Sequence, residues 1–266
     1  MTSISRARVR TVRLGARFVP WVRAWRAGLV PYDDVVPTVT AGEEHVCRDL
    51  PGTWRDVPMR EALSTLSRLH PDQIRLVLPA PGDPRGLPGP GPFTATALLR
   101  GEGVIAGELG LVPEVTEHRS GSGDLWHTVT WQVHPVRTTA TPADSPTPAE
   151  AEHDLSVALT ETTEALTGLD VARWRPELGE ALAALRRGSP GPELPPGFDP
   201  RSRRLYARAS VLEQVLALAA QDPLGGAVNG HQAEQRALAL RPLATACRRA
   251  LEAASNAQLA HPGQQS

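Results

Sequence analysis

An α+β fold is predicted: a small mixed α/β unit over residues 27–137, then an antiparallel bundle of about four helices over 148–258. Three observations predict it. The first half alternates short apolar runs with Gly and Pro, whereas the second half repeats leucine at helical spacing. Between them, "TTATPADSPTPAE" (138–150) is small, polar and proline-punctuated, so 138–147 reads as a linker. The chain has 266 residues, 41% hydrophobic and 21% charged, enough to bury such a core. Residues 259–266 read as a disordered tail.

Within the first unit, 56–70 reads as a short helix. Leu63, Leu66 and Leu69 recur three apart, and Pro71 stops it. "IRLVL" (74–78) is a buried strand with Ile74, Leu76 and Leu78 on one face. "FTATALLR" (93–100) is a short helix closed by Gly101. Residues 103–112 supply one or two strands. The clearest strand is 123–136, where Val129, Trp131 and Val133 alternate with Thr128, Thr130 and Gln132. Three or four strands follow, in mixed or antiparallel pairing.

The second unit carries helix punctuation. Thr147, Pro148 and Glu150 combine an N-cap, a first-turn proline and a capping-box glutamate. Leu155, Leu159, Thr162 and Leu166 make one stripe, ended by Gly168. Asp170 opens a second helix, 171–187. Asp199-Pro200 caps a third, and Asn229 with Gln232 a fourth, which Pro242 should kink or divide.

All 28 basic residues are arginine, the bias of a GC-rich genome. Without lysine, Schiff-base, Walker-type and kinase-type lysine chemistries are excluded. Cys47 and Cys247 stand 200 positions apart and read as two buried, inert thiols in a reducing cytoplasm. No run of 18 apolar residues spans a membrane. No cofactor is expected.

"LVLPAPGDPRGLPGPGPFTATALLR" (76–100) runs from strand through a glycine-rich loop into a helix, the order in which phosphate-binding loops occur. Gly82, Gly86 and Gly89 permit a close backbone approach, and Arg85 supplies a cation. However, Pro79, Pro81, Pro84, Pro88, Pro90 and Pro92 each remove an N–H donor, and Asp83 competes for Arg85. The spacing matches neither dinucleotide-binding nor P-loop patterns. The loop therefore reads as a rigid connector, with a ligand site at Arg85, Gly82, Gly86 and Gly89 as the alternative.

Other constellations read structurally. Glu150 and His153 spell Glu-x-x-His, but a di-metal bundle needs a second copy, and Glu150, Asp154, Glu161 and Glu164 form a solvent-facing stripe. His127 and His134 lie seven apart and so point to opposite faces of their strand. His127 shares its face with Trp131. Ser122, Asp124 and His127 lack a nucleophile-elbow pattern. Glu43, Glu44, His45 and Cys47 form a lone cluster without distant partners. No catalytic or metal-binding set is assembled, so the reading leans away from an enzyme.

Seven arginines precede the first acid, Asp33, with Trp21 and Trp25 among them. Residues 1–26 read as a flexible basic extension. The alternative is nucleic-acid association through Arg6, Arg8, Arg10, Arg13 and Arg17, with docking to an anionic membrane surface as a third.

The stretch "GTWRDVPMREALSTLSRLHPDQIRLVLPAPGDPRGLPGPGPF" (52–93) resembles one found in an uncharacterised family of actinobacterial proteins with no assigned function. The resemblance carries over no site. The sequence thus favours a non-catalytic binding or adaptor protein whose helical half docks a protein partner or dimerises.

Overall fold

Strand alternation builds one sheet with two buried faces. The computed structural model describes residues 13–137, 145–168, 193–221 and 230–260. Its strands are β1 (Glu44–Arg48), β2 (Val57–Pro58), β3 (Ile74–Val77), β4 (Gly103–Ala106), β5 (Leu109–Arg119) and β6 (Leu125–Pro135). They lie in the order β2-β1-β6-β5-β4-β3. All neighbours are antiparallel except β1, which runs parallel to β6.

Side chains leave each strand on alternating faces. Ile74, Leu76, Val104, Ala106, Leu111, Val129, Trp131 and Val133 face the main core. Val77, Ile105, Val112 and Val136 face the other side, against Phe93 and Ala97. Those two belong to α4 (Pro92–Arg100), the expected short helix. Gly101 ends it in the left-handed region, with φ of 73°, and its N–H returns to the Ala97 carbonyl at 2.8 Å.

Only part of the extension expected over residues 1–26 lies within the described residues, and that part is a helix. Residues 14–26 are not a flexible extension: they form α1 (Leu14–Arg26), with Leu14, Phe18, Val19 and Val22 buried. Leu14, Phe18 and Val22 recur four apart, an apolar stripe that the interspersed arginines conceal in the sequence. The Phe18 ring lies 5.0 Å from that of Trp131. Next come α2 (Tyr32–Thr40) and α3 (Met59–Thr65); the short helix expected at 56–70 is α3 with a following 3-10 turn at Leu66–Arg68. The sheet also has more strands than expected, because β1 and β2 add to its β6 side.

Three described helices form the second layer: α5 (Pro148–Gly168), α6 (Pro200–Gln221) and α7 (Gly230–Asn256). The expected helix over 171–187 lies outside the described residues. Thr147 and Glu150 close the capping box: Glu150 Oε2 accepts the Thr147 N–H at 2.8 Å, and Thr147 Oγ1 accepts the Glu150 N–H at 3.3 Å. Asp199 caps α6 by accepting the N–H groups of Arg201 and Ser202. α7 runs undivided through Pro242. These helices share the sheet's core, since Leu155, Leu205, Tyr206, Cys247 and Leu251 belong to the same buried cluster as Trp131. The Tyr206 hydroxyl donates to the Ala16 carbonyl at 3.0 Å, tying α6 to α1.

Candidate functional site

Strand β3 is the open end of the sheet, and α7 covers it with polar side chains. Asn256 Oδ1 accepts the Leu76 N–H at 2.8 Å, and its Nδ2 donates to the Leu76 carbonyl at 2.9 Å. Glu252 Oε2 accepts the Leu78 N–H at 3.2 Å, and Arg248 donates to the Leu78 carbonyl. Burial pushes the Glu252 carboxyl up to about 7, against the pull of the Leu78 N–H and of Arg248 and Arg75.

The proline-rich loop leaves β3 at this point. Ala80 and Asp83 exchange backbone bonds of 3.1 and 2.8 Å across Pro81-Gly82, with Gly82 at a φ of 80°. A type II turn requires glycine there. Gly86 repeats the device with a φ of 82°, between the Pro84 carbonyl and the Leu87 N–H. The Asp83 carboxylate accepts from Arg85 at 2.7 Å, Arg248 at 2.6 Å and Arg249 at 3.2 Å. Burial alone would raise the Asp83 pKa, but the bonds from Arg248 and Arg85 outweigh it and hold the carboxyl below the usual range. Arg85, Gly82 and Gly86 therefore do lie together, and the anion that Arg85 meets is Asp83. Gly89 has a φ of 108° and presents its carbonyl to the Thr94 hydroxyl.

Against this loop opens a cleft of about 820 Å3. Arg13 and Leu14 line it from α1, and Ala80, Pro81, Glu102 and Val115 from the sheet side. Glu213, Leu216 and Ala217 of α6 and Arg241, Ala244, Thr245 and Arg248 of α7 complete the lining. Within the lining, Arg13 Nε donates to Glu213 at 2.7 Å and its Nη1 donates to the Gly101 carbonyl at 2.7 Å. Glu102 accepts the Gly15 N–H at 2.9 Å, capping α1 from outside the helix. Burial raises the Glu102 pKa despite the opposing pull of Arg13 and the Gly15 N–H. Arg241, also in the lining, is exposed and has no ion-pair partner among the described residues.

The arginines expected to bind nucleic acid divide. Arg6, Arg8 and Arg10 lie outside the described residues. Arg13 is committed to Glu213 and Gly101, and Arg17 is half-buried on α1. Arg23, buried, donates to the carbonyls of Ser255 and Ala257 at the end of α7. Burying α1 against the core turned these charges inward.

His127 sits 3.9 Å from Glu43 and 3.7 Å from Glu117, half-buried at the sheet surface. His45 is buried, and its Nδ1 accepts the Trp131 indole N–H at 3.2 Å. No group of three or more His, Cys, Asp or Glu side chains is placed to hold a metal ion among the described residues. Ser122 and Asp124 bond each other in an exposed turn. Glu150, Asp154, Glu161 and Glu164 are exposed. Burial pushes both cysteine thiols up to about 12. Among the described residues, no helix is long and apolar enough to cross a membrane.

The sheet unit and the helical layer correspond to two family models. Residues 15–151 match the Rv1486c-like protein N-terminal domain, and residues 149–252 the Rv1486c-like protein C-terminal domain. The chain belongs to the Rv1486c-like family. It is 27% identical over 278 aligned positions to "Uncharacterized protein Rv1486c" of Mycobacterium tuberculosis (strain ATCC 25618 / H37Rv), covering 90% of this chain and 94% of that protein. No solved structure matches. For this Rv1486c-like chain, sequence reasoning missed Glu102, Glu213, Arg241, Glu252 and Asn256. Only the last pair left a signal. Arg248, Glu252 and Asn256 recur four apart on an alanine-rich helix, a second stripe that needs a polar partner.

Proposed function

We propose that the protein is a non-catalytic binding protein, and that the cleft between α1, the 80–81 turn and helices α6 and α7 takes its ligand. The observation that carries this reading is the cleft itself, about 820 Å3 with a partly apolar lining and a few fixed polar groups. Its walls are held by long-range anchors: Arg13 to Glu213, Tyr206 to Ala16, and Arg248 to Leu78. Such walls are pre-organised for recognition. The chemistry around it supports recognition over catalysis, since carboxylates and arginines are largely paired and both thiols are raised to about 12. Free, buried cysteines also suit the cytoplasmic location proposed from the sequence. In this reading the helical half supplies one wall of a ligand cleft, in place of the protein-docking or dimerising face expected from the sequence.

A thermal-shift panel of organic acids, nucleotides and acyl compounds tests it, with Ala217→Trp as the cleft-filling variant. A ligand at about 100 times its Kd adds roughly 2.7 kcal/mol, a rise of several degrees. The shift should vanish in Ala217→Trp. No shift across the panel, or an undiminished one in the variant, overturns the reading. A protein segment entering the same cleft would be lost with the same change.

A further inference from the structure

We infer that the cleft's ligand is a small amphipathic anion. Its acid group seats on Arg241, and its apolar body lies along Leu14, Val115 and Leu216. The inference rests on the binding-protein reading above and specifies the chemistry of the ligand.

The cleft's three arginines differ in what they have left to donate. Arg13 uses Nε on Glu213 and Nη1 on the Gly101 carbonyl. Arg248 uses Nη1 on the Leu78 carbonyl and Nη2 on Asp83. Arg241 lines the same wall with no ion-pair partner among the described residues. A guanidinium carries five N–H donors in a planar fork that fits a carboxylate or phosphate edge-on. Thr245, one turn further along α7, adds a hydroxyl to the same wall. Arg241 also borders a second hollow, of about 410 Å3, which it shares with Arg249 and Asp154. Arg241 thus lines both hollows.

Charge limits the rest of the ligand. Elsewhere in the lining, Glu102 and Glu213 flank Arg13, which already serves both electrostatically. A second anionic group there would face two carboxylates. The lining also offers aliphatic side chains, Leu14, Val115, Leu216 and Pro81. One acid head on an apolar body is the molecule that satisfies both the uncommitted guanidinium and the aliphatic lining.

Isothermal titration of the full chain tests this with octanoate and octyl phosphate, which distinguish the two acid heads. Octanol, octylammonium and inorganic phosphate serve as controls. The expected result is binding of at least one octyl anion, clearly tighter than octanol or inorganic phosphate, and none of octylammonium. Arg241→Ala should weaken it about tenfold or more, as loss of a charge-assisted pair does. Arg241 is exposed, so the variant should keep its melting temperature. Octanol binding as tightly as the anions, or an unchanged Kd in Arg241→Ala, overturns the anion assignment. If Ala217→Trp still abolishes binding in that case, the cleft reading survives. Failure of every octyl probe overturns the inference, and the wider panel then decides the cleft reading separately.

Discussion

Asn256 holds Leu76 by both of its backbone polar groups, accepting its N–H at 2.8 Å and donating to its carbonyl at 2.9 Å. With Glu252 and Arg248 it takes the place of a further strand. The register works because four helical residues advance about 6 Å, close to the roughly 6.6 Å of two strand residues. A polar row on α7 thereby satisfies the sheet edge that an exposed β3 would offer to other chains.

Replacing Asn256 with Leu leaves both groups of Leu76 without that partner. The expected loss is about 1–3 kcal/mol, read as a fall of several degrees in Tm. Asn256→Leu melting within a degree of wild type would refute the edge-capping role.

Glu252 should make stability depend on pH. Its carboxyl lies at about 7 in the fold against an ordinary 4.5, so the folded state binds its proton more tightly. Its contribution is therefore fully present below about 4.5 and is lost as pH rises to about 7 and beyond. The shift converts to at most roughly 3 kcal/mol at 1.36 kcal/mol per unit, less for the partial exposure of the side chain. Glu252→Gln should flatten the dependence of chemical-denaturation stability on pH between 4.5 and 7. An unchanged slope counts against it.

Arg23 should matter far more than its ion pair. Its side chain is buried and serves the carbonyls of Ser255, Ala257 and Pro71, whereas its partner Asp72 is 70% exposed. Arg23→Met should cost about 2–4 kcal/mol through orphaned carbonyls. Asp72→Ala should cost less than about 1 kcal/mol. Equal losses in urea denaturation would show that the ion pair, not the helix end, sets its worth.

Gly110 is required by close approach. A Cβ there would lie 2.2 Å from Phe93 Cδ2 and 2.7 Å from Val136 Cγ2. Gly110→Ala should cost about 1–3 kcal/mol or more by forcing α4 off the sheet, and Phe93→Leu in the same chain should recover part of it. If the double variant is simply the sum of the two losses, the contact is not the cause.

Elements whose signal is local could be read directly. β6 alternates without interruption over Val129–Val133, α4 carries its own glycine stop, and α5 its own capping box. β1 could not be read this way. Its alternate residues are Glu44, Val46 and Arg48, and it is a strand because β6 pairs with it 84 positions away in the chain, Glu44 against Thr128. α1 was hidden because its arginines imitate a solvated tail, and only the carbonyls and carboxylates they meet show otherwise.

By itself, then, the sequence determined local periodicity, capping and turn chemistry, which mark β3, β6, α4 and α5, and the exclusion of lysine chemistry. Tertiary structure alone decided that α1 is core, that Asp83 neutralises Arg85, and that Arg241 is left uncommitted beside a cleft. The reason is distance along the chain. Capping and alternation act within a few residues, whereas Arg248 reaches Leu78 across 170 positions and Arg13 reaches Glu213 across 200. No local pattern records which charge such a contact will neutralise.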